Sequence, residues 1–417
     1  MFKKRLPIFI NITQPITSYP FEAVERKGIG HPDTVIEGIA EAISIDYSRF
    51  CLRNFGAVLH HHFDKSLIMG GRAKIDFGVG RMKKPIRLII NGRISSQFGN
   101  REINYKQIQE NSAKKYLKKV LPALDVQKWL KVYSYTTSYS RSPVWYRPRS
   151  LDDLPEFRRP YANDTAAIVS YWPLSITERL VLKMEKFFYK KDGSPRFSYI
   201  GQDIKVLAVR HKNDIEATLC IPFMSIKIPN KKFYFEKLEK IKSQLTDSAH
   251  RFLGDKFRIK IFINTQDRLL FEGTKRGTSH YFVVSGSALD YGEEGLVGRG
   301  NRTRGLLSSV RPYSTDAIYG KNPAFHVGKV YTYFAEQITR RISEELGCEC
   351  TLIFLTQNKS LITSPQKVVV SVSKKIGLKK AEKIIEEELH KKDWVRKIVQ
   401  NKYFLPMPGG TYEHCED

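Results

Sequence analysis

Glu25-Arg26-Lys27-Gly28-Ile29-Gly30-His31-Pro32-Asp33 is the stretch on which the reading of this 417-residue chain turns. From Pro32 onward the apolar positions Val35, Ile36, Ile39, Ala42, Ile43 and Tyr47 recur at helical spacing, and Pro32 suits a first-turn position, so a helix is predicted to open there. The residues before it form a Gly-punctuated loop that delivers His31 and Asp33 to the opening turn. That end of a helix presents free N–H groups and the positive pole of its dipole, a seat for phosphate. Asp33 there could hold Mg²⁺, which takes carboxylate and phosphate oxygens. Taken in isolation, a cap for His31 and a first-turn charge for Asp33 are the better account.

A second cluster lies far downstream: Gly292-Glu293-Glu294-Gly295-Leu296-Val297-Gly298-Arg299-Gly300-Asn301, then Gly320-Lys321-Asn322-Pro323 and His326-Val327-Gly328-Lys329. Carboxylates, an Arg and two lysines on Gly-rich backbone suit a metal-bridged polyphosphate, with acids for the cation, bases for the oxygens and glycines for close main-chain approach. A solvated loop would carry similar charges, but irregular stretches longer than about 15 residues are uncommon unless functional. The familiar nucleotide fingerprints are missing: there is no GxxxxGK[ST], no GxGxxG between a strand and a helix, and no kinase signature set.

Between these clusters the pattern predicts strands at Ala57 to His60, Ser66 to Met69, Ile86 to Ile90, Ile204 to Arg210, Glu216 to Ile221, Arg258 to Ile263 and His280 to Val284. Helices are predicted at Ile108 to Val120, Ser175 to Phe188 and Lys232 to Phe252. Tyr133 to Pro160 reads as loops, and Ser285 to Gly328 as long irregular chain. A helix from Val330, strands at Thr351 to Leu355 and Lys367 to Val372, and a helix at Lys379 to His390 follow. Strands and helices mix without strict βαβ alternation, which favours α+β units. Length suits two or three packed units.

Lys and Arg number 70 against 43 Asp and Glu, a net +27 that attracts polyanions. Spread along the whole chain, it reads as surface charge more than as a nucleic-acid footprint, and no nucleic-acid motif accompanies it. Five cysteines without a CxxC pair argue for a reducing compartment. No run of about 18 apolar residues suits a bilayer, and no signal segment is evident, so a cytoplasmic protein is expected. His60, His61 and His62 on an extended strand would alternate between faces, so they read as structural or substrate-lining.

The segments resemble, in order, the archaeal-type S-adenosylmethionine synthetase (methionine adenosyltransferase) family: ERKGIGHPD at Glu25 to Asp33, GRGN at Gly298 to Asn301, and GKNPxxHxGK at Gly320 to Lys329. Leu59-His60-His61 with Asp64, Gly70 to Ala73, Ala162 to Thr165, Tyr171 to Ser175, Asp203 to Val206 and Ile263 to Thr265 extend the likeness from about residue 21 to about residue 333. The resemblance implies three α+β subdomains with approximate internal threefold symmetry, with approximate boundaries at 1–132, 133–255 and 256–417 and with interleaving between them, and a homodimer with shared active sites. It also implies ATP and L-methionine as substrates, with Mg²⁺ and K⁺ as cofactors. It assigns His31 to the departing oxygen at C5′, Asp33 and Glu293 to magnesium, and Arg299, Lys321 and Lys329 to the phosphate chain. Gly30, Asp64, Asp164, Gly298, Asn301 and Gly320 are the expected ATP or substrate contacts. Four departures stand out. Glu293 replaces a usual Asp, and Lys65 and Gln202 replace a usual Gln and Glu. Ser138-Tyr139-Ser140-Arg141-Ser142, before Pro143, occupies the place of a Gly-rich nucleotide loop. A catalytically weakened homologue that binds nucleotide or a partner would carry the same substitutions.

Overall fold

The computed structural model describes residues 6–142, 144–268 and 280–411; Lys3 to Arg5, Pro143 and Cys415 lie outside them. Twelve principal strands form three sheets, each covered by helices on one face. In the first sheet β5 (Leu130–Ser134) pairs parallel with β4 (Ile86–Ile90), which pairs antiparallel with β3 (Leu67–Met69), which pairs antiparallel with β10 (Glu294–Leu296). Helices α1 (Pro32–Phe55) and α2 (Tyr105–Val120) pack together over it. In the second, β9 (Arg258–Ile263), β8 (Asp214–Cys220), β7 (Lys205–His211) and β2 (Phe21–Lys27) follow the same order of one parallel and two antiparallel pairings. Helices α3 (Ile176–Lys186) and α4 (Lys231–Leu253) cover it. The third repeats the order with β1 (Ile8–Ile12), β12 (Lys367–Val372), β11 (Cys350–Leu355) and β6 (Ala167–Trp172) under α5 (Val327–Leu346) and α6 (Leu378–Leu389).

The units exchange strands in a cycle. β2 belongs to the second sheet, where the short strand Leu307–Ser308 pairs outside it, but leads into α1 of the first; β6 closes the third but leads into α3 of the second, and β10 closes the first but leads on toward α5 of the third. This is the interleaved, threefold-repeated α+β arrangement. The second sheet takes β2 from before residue 132 and β9 from after 255, and the third takes β1 and β6 from earlier in the chain than β11 and β12.

Local chemistry explains most elements. Alternation buries Ile215, Ala217 and Leu219 of β8 under the helices and leaves its other side chains outside. Ser175 and Glu178 form a reciprocal capping box at the start of α3. Several stretches differ from expectation, among them the strands Ile8–Ile12, Ala167–Trp172 and Glu294–Leu296, which the pattern does not place. Ala57 to His60 is irregular, since the two-residue strand there is His61–His62. α5 begins at Val327, so Lys329 sits in a helical turn. Glu25 to Lys27 ends a strand instead of opening a loop. The helix Trp394–Gln400 follows α6. The four described cysteines are unpaired, and no helix among the described residues is long and apolar enough to cross a membrane.

Candidate active site

The loop before α1 is pressed onto the chain entering β7: Gly28 and Gly30 donate their N–H groups to the carbonyls of Ile204 and Gln202 at 2.8 and 3.0 Å. A Cβ on either would come within 2.4 Å of that backbone, which is why both are glycine. Ile29 N–H donates to Glu185 Oε1 at 2.8 Å, and Ser287 Oγ donates to Gly30 O at 2.7 Å. Held in this way, His31 caps α1, its Nδ1 accepting from Asp33 N–H at 3.2 Å. Burial pushes the imidazole down to about 4, against the pull of Asp33. A neutral ring whose Nδ1 accepts carries its proton on Nε2, so His31 is a donor at the helix start.

Below it, Asp33, Glu37 and Glu41 stand at four-residue spacing on one face of α1, all buried. Each carboxylate gathers a piece of the Gly-rich chain. Asp33 Oδ1 accepts from Leu296 N–H at 3.0 Å, and its Oδ2 accepts from Lys27 Nζ at 2.8 Å. Glu37 Oε1 accepts from Gly298 and Gly300 N–H, both at 3.1 Å. Burial pushes Glu37 up to about 8, so it is largely protonated at neutral pH. Glu41 accepts from Gly320 N–H at 3.0 Å and holds Lys329 Nζ at 2.8 and 2.7 Å.

Lys321 follows Gly320 and is paired with Asp316, with Asp64 Oδ2 3.8 Å away. His62 Nδ1 lies 2.8 Å from Asp64 Oδ1, and Lys65 Nζ donates to Asp64 Oδ2 at 2.9 Å. Contacts with His62, Lys65 and Lys321 together outweigh burial and hold the Asp64 carboxyl well below the usual carboxylate range. Phe63 N–H donates to Gly320 O, which ties the His60 to Asp64 segment to the GKNP segment. His326 closes this end, its Nδ1 3.6 Å from Asp316 Oδ2, with burial holding it neutral. A cavity of about 170 Å³ is lined by Glu37, Gly298, Asn301, Arg302 and Asp316.

Of the anticipated residues, His31, Asp33, Gly30, Gly298, Asp64 and Lys321 lie on this connected set. Three others have internal partners. Asn301 is buried with its amide bracketing the Lys27 backbone, accepting from N–H at 3.0 Å and donating to O at 2.7 Å. Gly320 uses both backbone groups on Glu41 and Phe63. Lys329 is buried against Glu41, where burial lowers its pKa. Asp164 is exposed and accepts from its neighbour Thr165; Asn163 is the one that reaches His326, at 3.3 Å. Arg299 and Glu293 are exposed, with Arg299 O accepting from Lys27 Nζ at 2.7 Å. The three histidines part company, His60 to Glu156, His61 to Ser44 and His62 to Asp64. Tyr139 is exposed, and its loop borders the site only through Ser138 Oγ on Ile94 O, one strand from His62.

Glu37, Glu41 and Asp316 escaped the sequence reading. The four-residue recurrence of acids after Asp33 was the available signal. Glu37 Oε2 and Asp316 Oδ2 are buried without hydrogen-bond partners while their residues line the same cavity, a donor set that fits a cation. No cluster of three or more His, Cys, Asp or Glu able to cage a metal occurs among the described residues, and Mg²⁺ carried on phosphates needs only one or two carboxylates.

A family model described as S-adenosylmethionine synthetase matches residues 7–402. The chain belongs to the S-adenosylmethionine synthetase family. It is 33% identical over 405 residues to the S-adenosylmethionine synthase of Methanosphaera stadtmanae, covering 94% of this chain and 96% of that one. It is 34% identical to that of Pyrococcus furiosus over 88% of both. An uncharacterized protein of Streptococcus pyogenes is 37% identical over 93% and 94% of the two chains. The solved structure of an unusual S-adenosylmethionine synthetase from Campylobacter jejuni shares the fold, with TM-score 0.55 at 14% identity, covering 94% of this chain and 87% of that one.

Proposed function

We propose that the chain is a methionine adenosyltransferase, which joins the methionine sulfur to C5′ of ATP, expels triphosphate and hydrolyses it to phosphate and diphosphate. What supports this reading is the acidic face of α1: Asp33, Glu37 and Glu41 accept in turn from Leu296, from Gly298 and Gly300, and from Gly320, which precedes the Lys321 that pairs with Asp316. Displacement at C5′ needs in-line placement and a stabilised leaving group, with no covalent enzyme intermediate. In this reading His31 Nε2–H donates to the departing oxygen at C5′. Lys321 and Arg299 meet the phosphate chain, and Lys329 acts at one remove by neutralising Glu41. Asp64 sets the charge around Lys321.

Asp33 and Glu293, with Asp316 added, are the carboxylates proposed to hold Mg²⁺, which when bound neutralises phosphate charge. K⁺ is the proposed second cation. The open faces of the three sheets are the proposed contact between two copies. The test is incubation of the purified protein with ATP, L-methionine, Mg²⁺ and K⁺. The expected result is S-adenosylmethionine with both phosphate and diphosphate, and the absence of product under every metal condition overturns the reading.

A further inference from the structure

We propose that the outer face of α3 carries a second anion site, apart from the cavity beside Glu37, that takes a chain of phosphates. Helix α3 turns its acids inward, where Glu178 pairs with Arg311 at 2.8 Å and Glu185 with Arg26 at 2.7 Å. Its outward positions are Arg179, Lys183 and Lys186, spaced four and three residues apart and therefore on one face. This basic ridge divides two clefts. One, of about 830 Å³, sets Arg179, Lys183 and Lys256 beside Trp172 and Phe257. The other, of about 530 Å³, sets Lys183, Arg196 and Arg251 beside Phe187 and Phe252. Among the described residues neither is lined by any Asp or Glu, and neither shares a residue with the cavity beside Glu37.

Ordinary protein surface intersperses the two signs of charge. Here the cations rest on rings instead. Arg179 and Lys183 lie 5.6 and 5.0 Å from the Phe252 centroid, Arg196 lies 4.8 Å from that of Phe187, and Lys256 lies 5.6 Å from that of Phe257. Such contacts hold side chains in place while leaving N–H groups for an anion. Arg179 and Lys183 stand roughly 6 Å apart along the helix at 1.5 Å per residue, and Lys256 lines the same cleft. Three cations set apart in this way suit a run of phosphates better than a single one.

The experiment is calorimetric titration of the full chain with inorganic tripolyphosphate and, separately, with ATP, at low and at moderate salt. The triple variant R179Q/K183Q/K256Q should lose one binding event per chain, or weaken it at least tenfold, with an unchanged thermal midpoint. Arg299→Gln should keep that event. Lys183→Gln alone, which touches both clefts, serves if the triple variant does not fold. ATP binding more tightly than tripolyphosphate adds a base stacked on the rings, and equal affinity assigns the phosphate chain alone. The proposal is overturned if the triple variant binds tripolyphosphate as the parent does. It is equally overturned if tripolyphosphate binds neither protein, including the case in which a mixed-sequence oligonucleotide binds instead.

Discussion

His31 has two nitrogens with different duties, and a substitution can separate them. Asn at position 31 keeps an acceptor for Asp33 N–H and so keeps the cap, but it removes the Nε2–H donor. His31→Asn should lower turnover roughly 100-fold or more while shifting the thermal midpoint little, read by product formation and calorimetry on the same sample. Glu37 is the other informative residue. Its folded pKa, about 8 against an ordinary 4.5, means the native state keeps a proton that the unfolded chain loses as pH rises. The group carries no penalty below pH 4.5, and stability should fall from there until pH passes about 8, by on the order of a few kcal/mol. Glu37→Gln should flatten that slope in urea midpoints measured from pH 5 to 8. An unchanged slope would mean the proton sits elsewhere.

At the level of elements, the sequence was informative where the two standard periods ruled and silent where charge was turned inward. The helical spacing after Pro32 places α1 correctly. β2 was hidden because its inward positions are Glu22, Val24 and Arg26, so alternation reads as polar chain. Those charges are satisfied only by distant segments: Glu22 by Ser175 and Arg210, and Arg26 by Glu185, Gly305 and Met407. Likewise the acids of α1 read as solvated until the Gly-rich segments are laid against them. The Arg26–Glu185 pair is fully buried and ties β2 to α3 and, through Ile29, to the His31 loop. Arg26→Met should therefore destabilise the chain by about 3–5 kcal/mol, since it strands Glu185 without its partner. Chemical denaturation would show this as a large drop in midpoint, and a change under about 1 kcal/mol would rule out the staple.

Considered as a whole, the molecule covers one face of each sheet and leaves apolar side chains on the other, among them Phe9 at 50%, Phe21 at 51%, Tyr133 at 40% and Leu207 at 39% exposure. Apolar surface left on three sheets at once suits a second copy better than solvent. Sedimentation should give twice the mass of the chain, and Phe9→Asp with Leu207→Asp should shift it toward monomer. A parent that sediments as a monomer at micromolar concentration would remove the shared-site arrangement. The motifs imply a second copy only through the family they resemble, and the faces it would cover are defined only once the helices have chosen their side.

The cyclic exchange of strands has a consequence for how the protein is made. Ile8 pairs with Val368, and Met69 waits for Glu294. A ribosome therefore releases most of the chain before the first and third layers can close. Nascent molecules must carry unpaired strand edges through much of translation, a state prone to aggregation. Cells that express this protein well should hold it in contact with chaperones until its last hundred residues have emerged.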